Sequence, residues 1–172
     1  MAEITGRRKG ISRPNYEHTT FRLPHDIYSL LSLYAIKQRT TLVQVVEQEL
    51  RRYVAETLRE YLKGTASGKI ELRPLAAGKR KYRERGSKEA SANISFWHRI
   101  TEEERRRRQT LLDQVKLAAQ IQGLSISRAL EEHFRKWADQ HREEIERYVG
   151  ETVERLRVQQ EVPEEGTEAH AG

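Results

Sequence analysis

The sequence predicts a mainly α-helical protein with short β-strands, organised as two tandem strand-helix-helix units joined by a linker. Three observations support this fold class. Two short extended segments each precede a pair of amphipathic helices, and the apolar positions of the two helix pairs align at a constant spacing. Hydrophobic residues make up 36% of the chain and charged residues 34%. Small units that complete their cores by pairing are therefore favoured over one large core.

The first unit is predicted over residues 16–63. Residues 18–23 form a short extended segment. Asp26 can cap the helix that follows, which should end near Arg39. Thr41 can cap a second helix that runs to the end of the unit. The apolar stripes of these two helices are Ile27, Leu30, Leu31, Tyr34 and Ala35, then Val45, Val46, Leu50, Tyr53, Val54 and Leu58.

Three segments outside the units are predicted from composition. Residues 1–15 have few apolar side chains and are interpreted as a flexible basic arm. Residues 64–92 are rich in glycine, lysine and arginine and are interpreted as a basic linker, with a possible brief strand at residues 70–72. Residues 161–172 are small and acidic, and a disordered tail is expected there.

The second unit is predicted over residues 93–160. It opens with an extended segment at residues 93–100. A capping box that begins at Thr101 indicates a long helix, which Gly123 stops, and Ser125 can cap the last helix. The apolar positions of the unit are Ile94, Phe96, Ile100, Leu111, Leu112, Val115, Ala118, Ala119, Ala129, Leu130, Phe134, Trp137, Ile145, Tyr148, Val149 and Leu156.

The internal repeat is the strongest feature of the sequence. When Arg39 is aligned with Gly123, the predicted helix caps of the two units align with each other, and so do their apolar positions. The second unit holds about seven extra residues after Thr101, roughly two helical turns, which would lengthen its first helix without rotating the buried face. The aligned pairs are Ile27 with Leu111, Leu31 with Val115, Ala35 with Ala119, Thr41 with Ser125, Val46 with Leu130, Leu50 with Phe134, and Tyr53 with Trp137.

The first unit resembles the ribbon-helix-helix (MetJ/Arc-type) family of DNA-binding proteins over residues 18–54. The resemblance lies in His-Thr-Thr-Phe-Arg-Leu-Pro at residues 18–24, the helix through Ala35, and a second helix opened by Thr40-Thr41 and carrying Val45, Val46 and Leu50. Arg39 replaces the usual turn glycine. The second copy, over residues 93–140, is weaker: its turn matches better, but its first helix is too long and its strand lacks the following proline. The resemblance implies ribbon-helix-helix units that pair as a dimer or as a pseudo-dimer within one chain.

Alternation along the extended segments predicts which side chains face outward. If Thr19, Phe21 and Leu23 face the helices, then His18, Thr20 and Arg22 face solvent. A two-stranded ribbon fits the major groove, where arginine can bind guanine through two hydrogen bonds and threonine can bind bases or contact a thymine methyl group. Members of the family that this unit resembles read bases with the outward-facing side chains of their strands. The outward set of the second unit is Asn93, Ser95, Trp97 and Arg99, of which Ser95 and Arg99 are predicted to contact bases, whereas Trp97 is more typical of packing or of a protein contact.

Phosphate contacts are predicted at the second helices and in the basic segments. The N-terminus of a helix offers backbone N–H groups and a positive dipole end. Thr40, Thr41 and Ser125 lie at such positions, although simple capping explains them equally well. Cationic side chains in the arm and the linker would add affinity that does not depend on sequence. The predicted cationic phosphate contacts are Arg7, Arg8, Lys9, Lys79, Arg80 and Lys81.

Composition excludes several classes of function. A net charge of +6 and a pI near 9.6 favour a polyanionic partner. The absence of cysteine excludes disulfides and thiolate metal sites, and no apolar run reaches the ~18–20 residues of a membrane span. The histidines show no metal-ligand spacing, and no catalytic arrangement is evident. The chain is therefore predicted not to be an enzyme, to need no cofactor or metal, and to be cytoplasmic and nucleoid-associated.

Several functions remain open at this stage. The preferred one is a sequence-specific regulator of transcription, acting as a repressor on double-stranded DNA. A relaxosome or plasmid partition accessory protein would have the same sequence features. A helix-turn-helix around Gly123 is a further DNA-binding alternative. An alternative of another class is a helical dimerisation scaffold, antitoxin-like, whose C-terminal helix binds a protein partner. The sequence leaves open whether the two ribbon strands pair within one chain or between two chains.

Overall fold

One two-stranded antiparallel sheet and a larger helical layer make up the described part of the protein, which is mainly helical. The computed structural model describes residues 15–64 and 90–161. All but the last residue of the predicted arm, most of the predicted linker with its possible strand at residues 70–72, and all but the first residue of the acidic tail lie outside these ranges. The elements in chain order are β1 (Tyr16–Pro24), α1 (His25–Lys37), α2 (Leu42–Gly64), β2 (Ser91–Arg99), α3 (Glu102–Arg107), α4 (Leu111–Gln122) and α5 (Ile126–Glu161).

The two strands pair with each other within one chain, which resolves the pairing that the sequence left open. The register places Thr20 opposite Ser95 at the middle of both strands. Two further backbone bonds extend the ladder by one residue at each end, at 2.9 and 3.0 Å. They run from His25 N to Ala90 O and from Ile100 N to Asn15 O. The ribbon is therefore symmetric in length about its central pair.

The inner face of the ribbon forms part of the core. Thr19, Phe21 and Leu23 are buried, as the alternation predicted. Phe21 stacks on Phe134 of α5, with ring centroids 5.8 Å apart. A two-stranded ribbon is marginal alone in water, so this packing holds it in place. Each fully buried large apolar side chain contributes roughly 1.5–3 kcal/mol relative to exposure.

The helices pack across the two halves of the chain. Helix α1 packs against α5, and α2 packs against α4. Tyr34 of α1 meets Trp137 of α5 edge to face at 5.3 Å, and the Tyr53 hydroxyl of α2 donates to Gln122 Oε1 of α4 at 2.9 Å. All of the aligned apolar pairs of the repeat are buried. The core is thus shared by both halves.

The two turns between helices have the same backbone geometry. Arg39 and Gly123 both lie in the left-handed region, with φ of 54° and 70°. In each turn the following residue donates its N–H to an alanine carbonyl at 3.0 Å. These bonds join Thr40 to Ala35 and Leu124 to Ala119. The alignment of Arg39 with Gly123 therefore matches the backbone of both turns.

The long helix predicted after Thr101 was wrong. The capping box at Thr101 is present, with Glu104 as its partner, but the helix that it starts, α3, ends at Arg107. Arg108 takes a left-handed conformation with φ 54°, and Thr110 forms a second capping box with Asp113 that starts α4. Because a second cap is encoded at Thr110, the extra residues form a separate short helix and do not lengthen α4.

The predicted cap of the first helix was also wrong. Helix α1 begins at His25, directly after Pro24, and Asp26 lies in its first turn. The Asp26 carboxylate lies 3.8 Å from the Arg142 guanidinium of α5. Proline ends the strand and its fixed φ suits the start of a helix, so the helix starts two residues earlier than a cap at Asp26 would allow. The helix ends at Lys37, two residues before the predicted Arg39.

Candidate nucleic-acid interface

The outer face of the ribbon carries an unbroken set of exposed side chains. All five residues predicted to contact bases lie on it, and their predicted orientation is confirmed. Contact with DNA stays a prediction. The exposed residues on this face are Tyr16, His18, Thr20 and Arg22 of β1, and Ser91, Asn93, Ser95, Trp97 and Arg99 of β2.

Hydroxyl groups occupy the centre of this face. Thr20 Oγ1 and Ser95 Oγ lie 2.9 Å apart and form a hydrogen bond across the strands. His18 Nε2 lies 2.6 Å from the same serine oxygen. A hydroxyl both donates and accepts, and the imidazole role depends on its tautomer. The centre of the face can therefore pair with either donor or acceptor groups on a base edge.

One end of the outer face carries a guanidinium and an amide. Arg22 Nε donates to Asn93 Oδ1 at 3.2 Å, across the register pair that the two residues form. This contact uses one of the five N–H donors of arginine. Both residue types make bidentate contacts with purines, arginine with guanine and asparagine with adenine. Asn93 was predicted to face outward, but its contact with Arg22 follows only from the register.

The opposite end of the face is aromatic. Trp97 and His18 form a register pair, and their rings lie 4.8 Å apart at an angle of 42°. Trp97 is 42% exposed, so its ring lies on the surface of the ribbon. Arg99, a predicted base contact, pairs with Tyr16 at the end of the strand. It lies four residues from the central Ser95, about 13 Å along the strand.

A buried histidine lies on the inner face of β2, beneath the aromatic end of the outer face. His98 is 3% exposed on the inner face, and its Nε2 lies 3.0 Å from Glu17 Oε2. Its Nδ1 lies 3.5 Å from Thr19 Oγ1. This histidine was not predicted from the sequence, although its position two residues after Phe96 places it on the inward-facing side of the strand. Its polar contacts fix the inner side of β2 beneath Trp97 and Arg99.

The predicted phosphate-binding residues of the second helices serve as caps. Thr41 Oγ1 accepts from Gln44 N at 3.2 Å, and Thr41 N donates to Gln44 Oε1 at 3.1 Å. Thr40 Oγ1 also donates to Gln44 Oε1. Ser125 Oγ accepts from Arg128 N at 3.4 Å. The capping interpretation is thus satisfied at both helices, and a role in phosphate binding stays a prediction.

The remaining predicted phosphate contacts are the cations of the predicted arm and linker. Arg7, Arg8, Lys9, Lys79, Arg80 and Lys81 all lie outside the described residues. The ribbon face and the N-termini of α2 and α5 are therefore the described parts of the candidate interface.

A polar cleft lies between α2 and α5, away from the outer face of the ribbon. It includes Tyr53, Gln122 and His133. Burial raises the pKa of Tyr53 to about 12, so its hydroxyl stays protonated and donates to Gln122. Gln122 in turn donates to Thr57 at 3.2 Å, and His133 Nε2 lies 3.4 Å from Glu49 Oε2. Tyr53, Gln122 and Thr57 form a chain of hydrogen bonds, which is typical of a network that fixes the register of packed helices.

Two carboxylates have their pKa lowered by structural partners. The backbone N–H and hydroxyl of Thr101 lower the pKa of Glu104, and Lys37 lowers the pKa of Glu144. The first pair closes the cap of α3, and the second joins α1 to α5. Both carboxylates are thereby kept ionised for structural contacts.

Comparison of the chain with protein-family models, with curated proteins and with solved structures gave no match. Within residues 15–64 and 90–161, no helix is long and apolar enough to cross a membrane. The same ranges hold no cluster of three or more acidic or histidine side chains suited to a metal ion.

Proposed function

We propose that the protein binds double-stranded DNA sequence-specifically and acts as a transcriptional regulator, most simply a repressor. The observation that carries this proposal is the outer face of the β1–β2 ribbon. An antiparallel two-stranded ribbon fits the major groove of B-DNA, and this ribbon presents guanidinium, amide, hydroxyl and imidazole groups away from the core. Because the inner face is buried on the helices, the ribbon is held rigidly enough for its side chains to read bases.

The proposal includes a pseudo-dimer of two ribbon-helix-helix-like units within one chain. The units would be β1-α1-α2 and β2-α4-α5, with α3 as an insertion in the second. Three features support this pairing: the ribbon is symmetric about its central pair, the turns at Arg39 and Gly123 share their backbone bonds, and α1 packs on α5 as α2 packs on α4. A two-fold axis between the units would exchange α1 with α4 and α2 with α5. It therefore requires that α1 packs on α5 in the same way as α4 packs on α2.

The helix N-termini would position the ribbon on the DNA backbone. Helix α2 begins after Thr41 and α5 begins after Ser125. The first backbone N–H groups of each helix have no carbonyl acceptor within the helix. Backbone amides at such ends suit phosphate oxygens, and such contacts fix register without reading sequence. The net charge of +6 would add affinity that weakens with salt.

The test is a selection of random DNA duplexes on the purified protein at fixed salt. It should be repeated with Arg22→Ala and with Arg155→Ala as a matched control. Arg155 is also exposed, but it lies on α5 about 31 Å along the helix from Phe134, which contacts the ribbon. We expect a short motif from the wild type and from Arg155→Ala, with one position relaxed in Arg22→Ala. Sequence-blind binding that both variants leave unchanged would contradict ribbon reading.

A protein-binding role for the end of α5 is the second candidate function. Val153, Leu156 and Val158 are each more than half exposed. Val153 and Leu156 continue the helical stripe of Val149, which packs against the core. An exposed apolar stripe of this kind is typical of a helix that binds a partner. Retention of a protein partner with no DNA motif in the selection would favour this scaffold function.

A further inference from the structure

The symmetry of the ribbon backbone allows its two halves to be compared residue by residue. A two-fold rotation through the Thr20–Ser95 pair maps the strand ends onto each other. It also maps the bond from His25 N to Ala90 O onto the bond from Ile100 N to Asn15 O. Under this rotation, each residue of β1 corresponds to the residue of β2 that lies the same number of positions, in the same chain direction, from the central residue of its strand.

The side chains at the equivalent outer positions differ in chemistry. Thr20 and Ser95 are alike, since both present a hydroxyl. Two residues further along each strand, Arg22 corresponds to Trp97. Two residues before the centre, His18 corresponds to Asn93. A symmetric backbone therefore carries unlike groups on either side of its central pair.

The register gathers these differences at the two ends of the face. Arg22 and Asn93 are cross-strand partners at one end, joined by the 3.2 Å hydrogen bond. His18 and Trp97 are partners at the other end, in ring contact at 4.8 Å. We call these the polar end and the aromatic end. Each is a pair of side chains in contact, so each presents one composite surface to a base pair.

The two ends favour different base pairs. A guanidinium can donate two hydrogen bonds to O6 and N7 of guanine, and an amide can do the same with adenine. An indole ring has a large apolar surface with a single N–H donor and no acceptor. In the major groove, the apolar feature that such a surface can contact is the methyl group of thymine.

We infer that the ribbon reads a non-palindromic DNA site, in which Arg22 selects a guanine in one half and Trp97 selects a thymine at the equivalent position of the other half. This inference rests on the proposed function and makes it more specific. One protein molecule binds the site in one orientation, because the reverse orientation places the indole over guanine and the guanidinium over a thymine methyl group. Trp97 is the specificity-determining residue of its half-site.

The decisive variant is Trp97→Arg, which makes the equivalent positions on the two strands identical. Selection of random duplexes at fixed salt should give an asymmetric motif for the wild type. Trp97→Arg should change the thymine position to guanine and shift the motif toward a palindrome, with a preference of about 10-fold for guanine there. Trp97→Phe keeps an apolar ring and should retain thymine. Trp97 is partly exposed, and circular dichroism with a thermal melt checks that each variant folds.

A charge control separates specificity from simple cationic affinity. Gln159→Arg adds the same charge at an exposed position about 38 Å along α5 from Phe134. It should leave the motif unchanged, with at most a uniform gain in affinity.

The outcomes distinguish the two proposals. If the wild type selects a palindrome, or if Trp97→Arg leaves the thymine half-site unaltered, the inference is overturned while DNA reading stands. If the wild type selects no motif at all, the proposed function fails and the inference fails with it. An asymmetric motif that Arg22→Ala relaxes in one half and Trp97→Arg changes in the other supports both.

Discussion

The two turns between helices solve the same geometric problem with different residues. Both require one residue in the left-handed region, and their backbone bonds match. The second turn uses Gly123, which reaches this conformation without steric cost. The first uses Arg39, whose Cβ costs roughly 1–2 kcal/mol there. The comparison teaches that tertiary packing fixes the turn, since α1 and α2 are both held by the other half of the chain and hold the strained residue in place.

The largest effect is expected where the two halves share one core. Phe134→Ala removes a ring that is fully buried and stacked on Phe21, so we expect a loss of about 3–5 kcal/mol in the free energy of unfolding. Urea denaturation followed by circular dichroism measures this. Leu117→Ala, at a half-exposed site on α4, should change stability by less than about 0.5 kcal/mol. Two separate unfolding transitions in the wild type would show that the two halves fold independently. That result would contradict a shared core that holds both turns in place.

A smaller loss is expected at the glycine turn. Gly123→Ala places a Cβ at φ 70° and should destabilise the protein by about 1 kcal/mol. The matched control is Gly150→Ala, because a Cβ at this helical glycine of α5 meets open space. That substitution should stabilise by up to about 1 kcal/mol. Thermal melts of the two variants should therefore move in opposite directions. A shared direction would mean that the left-handed conformation of Gly123 is not what the turn needs.

The smallest effect should be a gain at the arginine turn. Arg39→Gly relieves the strain at φ 54° but adds backbone entropy to the unfolded chain, so we expect a net stabilisation of about 0.5 kcal/mol. Thermal denaturation at fixed pH and salt checks the sign. A clear loss of stability would indicate that the Arg39 side chain makes contacts that outweigh its backbone strain.

The sequence predicted much of this architecture because periodicity reports which side chains are buried. Most of the apolar positions at helical spacing, the inward set of β1 and the caps at Thr41 and Ser125 were identified, and each is a local or repeated signal. The predicted apolar position Leu156 is 54% exposed, and the buried Ile121 and Ala138 were not predicted. The break at Thr110 was missed because the stronger box at Thr101 suggested one continuous helix. A Thr followed three residues later by Asp gives a weaker signal than Thr followed by Glu.

The composition of the candidate site was less predictable than its orientation. Alternation placed Arg22 and Trp97 on the outer face, but the partners across the ribbon depend on the register between strands that are far apart in sequence. The register alone pairs Arg22 with Asn93, moves Arg99 to the strand end and brings Trp97 against His18. A shift of two residues would have kept every side chain on its face and given a different set of pairs.

Because both strands of the ribbon belong to one chain, the assembled ribbon does not depend on how many molecules the cell contains. A ribbon made from two separate chains is lost on dilution below the dissociation constant of the dimer. Here the second strand is tethered to the first, at an effective concentration that dilution does not lower. The melting temperature should therefore be independent of protein concentration. Occupancy of any ligand site on the ribbon should rise with the first power of protein concentration, without the threshold that assembly imposes.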